Sequence, residues 1–197
     1  MHISEGVLHP QLLVAGNVIA TGVLYFSYKK LDVQKLPITA ALSALFFIAS
    51  FIHIPLGPTS VHLIMSGILG AFLGYGVFVA IFIALLLQAL LFGYGGITVL
   101  GVNLLIIATP ALIAYYLMRI KTKSGFKKLL LHFLIGSVPV SLSAVLLALV
   151  LALNGEAFYA VASLSFLSNL PIMLIEGIFV VLIFRFIQKV SPKLLEI

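Results

Sequence analysis

The chain has no cysteine and few charged residues. The absence of cysteine excludes disulfides, thiolate metal sites and cysteine redox chemistry. Charged residues make up only 8% of the 197 positions. No glycine-rich lysine motif for cradling phosphates occurs, so the chain holds no ATPase domain of its own. No His-Glu-x-x-His motif occurs either, which argues against an intramembrane metalloprotease.

The chain as a whole is strongly apolar. Hydrophobic residues account for 63% of the chain, and the mean hydropathy is +1.31. No soluble domain of this size has such a composition, so the sequence predicts a polytopic membrane protein that forms one membrane domain over residues 1–197. The net charge of +6 is then explained by basic cytoplasmic loops, and we expect no nucleic-acid partner.

The hydropathy pattern predicts an all-α fold with seven transmembrane helices. A helix needs about 20 apolar residues to cross the bilayer, and two of the predicted spans are shorter than that. The short spans flank the segment 53–60, whose two prolines and one glycine break regular helix. The predicted spans are Pro10–Tyr28, Ile38–Ile52, Ser60–Gly74, Tyr75–Phe92, Ile97–Met118, Leu129–Leu153 and Ala160–Ile187.

Basic residues fix the predicted orientation. With seven spans, every lysine and arginine falls on one side, which the positive-inside rule assigns to the cytoplasm. The N-terminus is then outside and the C-terminus inside. We also expect the first span to be retained, since its leader carries Glu5 and no basic residue, unlike a signal peptide.

The first two residues form a candidate metal chelator. The Met1 amine, the deprotonated His2 amide and His2 Nδ1 offer three nearly coplanar nitrogens, a set that suits Ni(II) or Cu(II). This chemistry requires that Met1 be retained, and the bulky His2 side chain favours its retention. The alternative is a Met-His start without function. Residues 1–9 are therefore the predicted metal-binding segment.

His62 is the candidate for a fourth nitrogen. It is predicted to lie in the first turn of the third span, on the same side as the N-terminus. The alternative is a helix-end histidine bonded to a nearby carbonyl. His53 is nearer the edge of the candidate site, as a supporting group, an axial ligand or an interfacial residue.

Other polar residues are predicted around this site or within spans. Thr59 and Ser60 precede His62, and Gln88 and Asn103 flank the glycine-rich stretch 93–101, which we interpret as a loop over an outward-facing site. Glu176 is a buried acid in the last span. It acts either as a structural hydrogen-bond acceptor, which we prefer, or as the proton-relay acid of a secondary transporter.

Three ordered motifs resemble a known family. Residues 1–8 (MHISEGVL), 54–63 (IPLGPTSVHL) and 95–103 (GGITVLGVN) resemble the cobalt/nickel substrate-binding membrane components (S components) of energy-coupling-factor transporters, the CbiM/NikM family. The resemblance implies seven helices and an inward-tucked N-terminus. It also implies a metal bound by Met1, His2 and His62.

The resemblance further implies a role and partners. The protein would be the capture subunit of an ATP-driven importer in a prokaryotic cell membrane, with nickel(II) or cobalt(II) as the bound substrate and no catalytic cofactor. Its partners would be a transmembrane coupling subunit, cytoplasmic ATPases and a small accessory membrane protein. The competing hypothesis is a proton-coupled secondary metal transporter that uses Glu176. The sequence does not decide whether cobalt or nickel is the transported metal.

Overall fold

The computed structural model describes residues 2–56, 59–122 and 124–195, and they fold mainly into helices. Seven α-helices follow one another, and a two-stranded hairpin lies between the second and the third. The elements are α1 (Pro10–Lys29), α2 (Leu36–Ala49), β1 (His53–Leu56), β2 (Thr59–His62), α3 (Ser66–Leu73), α4 (Val77–Phe92), α5 (Leu100–Met118), α6 (Gly125–Leu153) and α7 (Tyr159–Val190).

Within the described residues, five helical stretches are long and apolar enough to cross a membrane. They are Pro10–Lys29, Ser66–Phe92, Leu100–Met118, Gly125–Leu153 and Glu156–Val190. The second of them contains α3, a short 3-10 turn at Gly74–Gly76 and α4. The apolar helix Val33–Ala49 is shorter. The prediction of a helical membrane protein is therefore supported at this level.

The predicted all-α class is supported, since the described residues are mainly helical, but the hairpin corrects one prediction, because the third helix does not begin at Ser60. Strands β1 and β2 pair antiparallel, with His53 opposite His62. Helix α3 starts only at Ser66, so His62 lies in a strand and not in a first helical turn. The hairpin satisfies its backbone groups by cross-strand bonds where the prolines of this segment prevent helix formation.

Small residues set the close helix contacts. A Cβ on Gly70 would collide with the backbone carbonyl of Ala111 in α5, and one on Gly136 would collide with the carbonyl of Glu176 in α7. Gly16 in α1 is covered in the same way by the Val102 side chain. Such small-residue positions allow helix backbones to approach in a membrane, where water exclusion cannot drive packing. Gly16 and Gly70 therefore serve internal packing.

Polar residues lie at both ends of the helical bundle, and contacts between helix ends show which residues share an end. At one end, the Lys30 ammonium lies 4.5 Å from the centre of the Tyr75 ring, and the Tyr75 hydroxyl lies 3.1 Å from that of Tyr116. At the other end, the N-terminal segment meets the end of α6 at Asn154. The described basic side chains gather at the first of these ends, which we call the basic end.

Candidate metal centre

The N-terminal segment, residues 2–9, is clamped by two asparagines. Asn103 Oδ1 accepts from the Ile3 N–H at 2.9 Å, and Asn103 Nδ2 donates to the Ile3 carbonyl at 3.0 Å. Asn154 holds the other end of the segment in a similar way. It accepts from the His9 N–H at 2.7 Å and donates to the Val7 carbonyl at 2.8 Å. Each amide side chain thus pairs with the segment as a neighbouring strand would, and both ends of the segment are fixed.

Apolar burial and one further bond hold the middle of this segment. Ile3 and Leu8 are almost completely buried. The Glu5 N–H donates to the Gly95 carbonyl at 2.7 Å. Gly95 has φ +75°, and a Cβ there would lie 3.0 Å from Asn103 Nδ2. Glycine is therefore required in this loop both for its backbone conformation and for the close approach of the segment.

The clamp brings the His2 and His62 rings together. Their centroids lie 5.4 Å apart and the ring planes are 19° from parallel. His62 Nδ1 donates to the Leu63 carbonyl at 3.0 Å, since a carbonyl can only accept. That bond places the ring proton on Nδ1, so Nε2 carries the lone pair of His62.

The His2 ring is neutral and set against Gln88. Burial lowers the pKa of His2 well below its usual value, and the electrostatic effects of the chain terminus and of the neighbouring His62 ring lower it further, against a smaller opposite effect from Gln88. His2 Nε2 and both polar side-chain atoms of Gln88 are buried and have no hydrogen-bond partner within the described part of the chain. Gln88 itself is fully buried in α4.

These rings line a small cavity of about 280 Å³. Its other walls are Ser4, Ser50 and the loop 93–95. Part of the glycine-rich stretch 93–101 therefore forms one wall of this cavity. Across the described residues, no three His, Cys, Asp or Glu side chains converge on one point. A metal held here would need backbone or terminal nitrogens in addition to the two imidazoles.

The predicted site residues are placed as follows. His2, His62 and Gln88 meet at the cavity, whereas Asn103 contacts the backbone of Ile3. His53 is the backbone partner of His62 in the hairpin, and Thr59 and Ser60 lie in β2. Met1 and the side chains of His53, Thr59 and Ser60 lie outside the described residues. Asn154 carried no signal in the sequence beyond being a polar residue in a predicted loop.

Glu176 contacts the segment that follows His62. Its Oε1 accepts from the N–H groups of Ile64, at 2.5 Å, and Met65, at 2.9 Å. Met65 adopts a left-handed conformation with φ +57° directly before α3 begins. The carboxylate thus satisfies amides that no preceding helical turn can reach. These contacts fit the structural role that we preferred for Glu176.

Comparisons with known proteins place the chain in a metal-transport family. Residues 2–194 match the CbiM family model, described as the cobalt uptake substrate-specific transmembrane region. A Haemophilus influenzae protein, provisionally named as a metal transport protein, is 40% identical over all of this chain and 97% of its own length. The cobalt transport protein CbiM of Kyrpidia tusciae is 31% identical over all of this chain and 86% of its own length.

A solved structure has the same fold. The crystal structure of a transition metal transporter is 26% identical, covers 96% of this chain and 93% of its own chain, and superposes with a TM-score of 0.80. Family model, relatives and fold agree over nearly the full length. The chain therefore belongs to the CbiM/NikM family of cobalt and nickel uptake components, and it is a multi-pass membrane protein of the prokaryotic type and not an enzyme.

Proposed function

We propose that this chain is the capture subunit of an ATP-driven importer, which binds one nickel(II) or cobalt(II) ion from outside the cell. The observation that carries the proposal is the stacked pair of His2 and His62, with a centroid distance of 5.4 Å, at the end of a clamped N-terminal segment. Two imidazoles held beside a chain terminus form the start of a nitrogen-rich site for a first-row transition metal.

The proposed ligands are four nitrogens. They are the Met1 amine, the His2 amide, His2 Nδ1 and His62 Nε2. The tautomer of His62 and the neutral state of His2 both leave an imidazole lone pair for the metal. A planar set of four nitrogens that includes an ionised amide favours Ni(II), which lies above Co(II) in intrinsic affinity. The ion is the transported substrate and no catalytic cofactor is involved.

Gln88 supplies a hydrogen-bond acceptor for the His2 ring. A metal on His2 Nδ1 leaves the proton on Nε2, and this buried atom then needs an acceptor. The Gln88 side chain lies beside it and has a carbonyl oxygen with no other partner among the described residues. Gln88 therefore fixes the orientation of the His2 ring without contacting the ion.

The distribution of basic residues supports a site on the outer face of the membrane. The basic end, with Lys30 and Arg119, faces the cytoplasm by the positive-inside rule, and the metal cavity lies at the opposite end. The seven helices are then seven spans, with the N-terminus outside and the C-terminus inside. Helices α2 and α3 are short for a full crossing, and we propose that the hairpin between them spans the remaining depth.

Other subunits supply the energy. The chain has no nucleotide-binding motif, so a transmembrane coupling subunit and cytoplasmic ATPases would drive release inward, as the family resemblance implies. A small accessory membrane protein would be a further partner. The bilayer is the surrounding solvent, and no nucleic acid is involved.

Nickel binding to the purified chain tests the metal site. We expect one Ni(II) per chain by calorimetry, and His62→Ala should remove high-affinity binding. His9→Ala is the matched control, because His9 is an exposed histidine at the same end and only its backbone contacts Asn154. Equal affinity of the two variants would show that His62 is not a ligand.

The amine is tested by one inserted residue. An alanine between Met1 and His2 lengthens the chelate by one amide and leaves every helix unchanged. We expect the insertion to abolish high-affinity binding and cellular uptake. An uncleaved N-terminal tag should have the same effect, and full activity in either protein contradicts the amine chelate.

The competing function is proton-coupled secondary transport through Glu176. Transport by the reconstituted chain alone, without ATPases, would support it. Dependence of uptake on ATP and on the partner subunits supports the capture subunit instead. The backbone amides that Glu176 already binds favour the second outcome.

A further inference from the structure

A second polar cavity lies at the basic end, far from the metal centre. Its volume is about 450 Å³. It lies between the end of α5, the first turns of α6 and the 3-10 turn Pro192–Leu195. The lining residues are Met118, Arg119, Ile120, Lys121, Thr122, Lys128, Leu131, His132 and Leu195.

Three of these lining side chains are cationic and none is acidic. Arg119 is preorganised, because Nη1 donates to the Tyr115 carbonyl at 3.0 Å and the guanidinium stacks 3.3 Å from the centre of the Tyr115 ring. A guanidinium has five N–H donors, so this anchoring leaves donors for an anion. Lys121 and Lys128 add two mobile ammonium groups.

His132 is a polar residue in the lining of this cavity. The residue is only 6% exposed, and its ring packs edge-on against Phe184 with the ring centres 4.9 Å apart. Within the described residues, neither ring nitrogen has a hydrogen-bond partner. Among the described residues, Lys128, one turn earlier, and Arg185 are the charged groups that act on this ring, and both are cationic.

Thr122 adds a second polar group to this wall. Its Oγ1 is buried and has no hydrogen-bond partner within the described part of the chain. Buried polar groups in proteins are normally hydrogen-bonded. A hydroxyl and an imidazole that both border a cationic cavity therefore indicate a ligand with several acceptor oxygens.

We propose that this cavity binds a phosphate group, supplied either by the headgroup of an anionic phospholipid or by free phosphate. Arginine, lysine, histidine and a hydroxyl are the groups that bind phosphate oxygens by charge-assisted hydrogen bonds. Basic pockets between membrane helices on the cytoplasmic side bind anionic headgroups in this way. The apolar lining from Met118, Leu131 and Leu195 suits the glycerol and proximal acyl carbons of a lipid.

Native mass spectrometry of the detergent-solubilised chain tests the proposal. The probes are phosphatidylglycerol, zwitterionic phosphatidylcholine and inorganic phosphate. The test variant is Lys121→Gln with Lys128→Gln. The matched control is Lys29→Gln with Lys127→Gln, which removes the same charge from the same end but from residues outside the cavity lining.

We expect phosphatidylglycerol to bind in preference to phosphatidylcholine. The cavity variant should lose about 30-fold in affinity, from about 1 kcal/mol per lysine, and the control should lose little. Competition by inorganic phosphate, with no retained lipid, assigns the same site to free phosphate. A His132→Leu variant, which keeps all charges, should also weaken binding.

Two results overturn the proposal. Equal losses in the cavity and control variants would mean that phosphate is attracted by the general charge of this end. Failure of the parent chain to bind either probe would exclude the site.

Discussion

Asn103 on α5 pairs with both backbone polar atoms of Ile3, 100 residues earlier in the chain. This pairing fixes the residue directly after His2, so the position of the proposed chelate depends on a side chain that does not touch the metal. Asn154 repeats the arrangement at the other end of the segment. We therefore expect Ni(II) affinity to depend on these contacts.

Asn103→Ala should weaken nickel binding by about 10- to 100-fold, the range typical for partners that orient metal ligands. The substitution removes both bonds to Ile3 and lets the His2 ring move. Calorimetry with Ni(II) measures the change. Asn169→Ala is the matched control, because Asn169 is also buried but bonds only to Ser165 in its own helix. If both variants bind like the parent, Asn103 does not position the chelate.

Gly95→Ala should reduce nickel affinity more than Gly93→Ala. Both glycines have positive φ, +75° and +67°, so the backbone strain is similar. Only the Gly95 Cβ would press on Asn103, at 3.0 Å, while the Gly93 Cβ meets nothing within 4 Å. Overpacking of this kind costs roughly 1 kcal/mol or more, or about fivefold in Kd. Equal affinities would show that the loop does not hold the segment.

Glu176→Gln should keep nickel binding and uptake close to those of the parent. Glutamine retains the carbonyl oxygen that accepts from Ile64 and Met65. Glu176→Ala leaves two buried amides unsatisfied, at about 1–3 kcal/mol each, and should lower both thermal stability and metal affinity. Uptake assays decide the point, since loss of transport in Glu176→Gln with binding intact would restore the proton-relay hypothesis.

Acid should loosen the N-terminal segment of the metal-free protein. The pKa of His2 is lowered in the docked state, so below about pH 6.5, the usual histidine value, the detached segment binds a proton that the docked segment does not. Docking is therefore fully favourable above pH 6.5 and weakens by up to about tenfold per pH unit below it. Hydrogen exchange at the Ile3 and Glu5 amides, corrected for intrinsic rates, measures this. His2→Gln should show no such pH dependence.

The topology predicts opposite labelling of two introduced cysteines. The parent chain has none, so Ser4→Cys and Ser124→Cys each provide a single thiol. An impermeant maleimide added to intact cells should label Ser4→Cys only, and Ser124→Cys should react only after lysis. Labelling of both from outside is incompatible with seven spans.

The sequence by itself determined the class of the protein. Apolar content and the spacing of basic residues predict helices in a membrane, because burying charge in lipid is costly. The start Met1-His2 and the motif around His62 predict candidate metal ligands, since those donors are local in the chain. The prolines between residues 53 and 60 signalled a break in helix. They did not reveal that it forms a hairpin whose second strand includes His62.

Only the tertiary structure decided how these residues are held. Asn103 and Asn154 pair with backbone atoms 100 or more positions away, and Glu176 bonds to amides 111 and 112 residues earlier. Backbone N–H and C=O groups are the same in every residue except proline, so a sequence carries no mark of which of them a distant side chain will bind. Helix packing makes that choice, through close approaches such as Gly136 against Glu176.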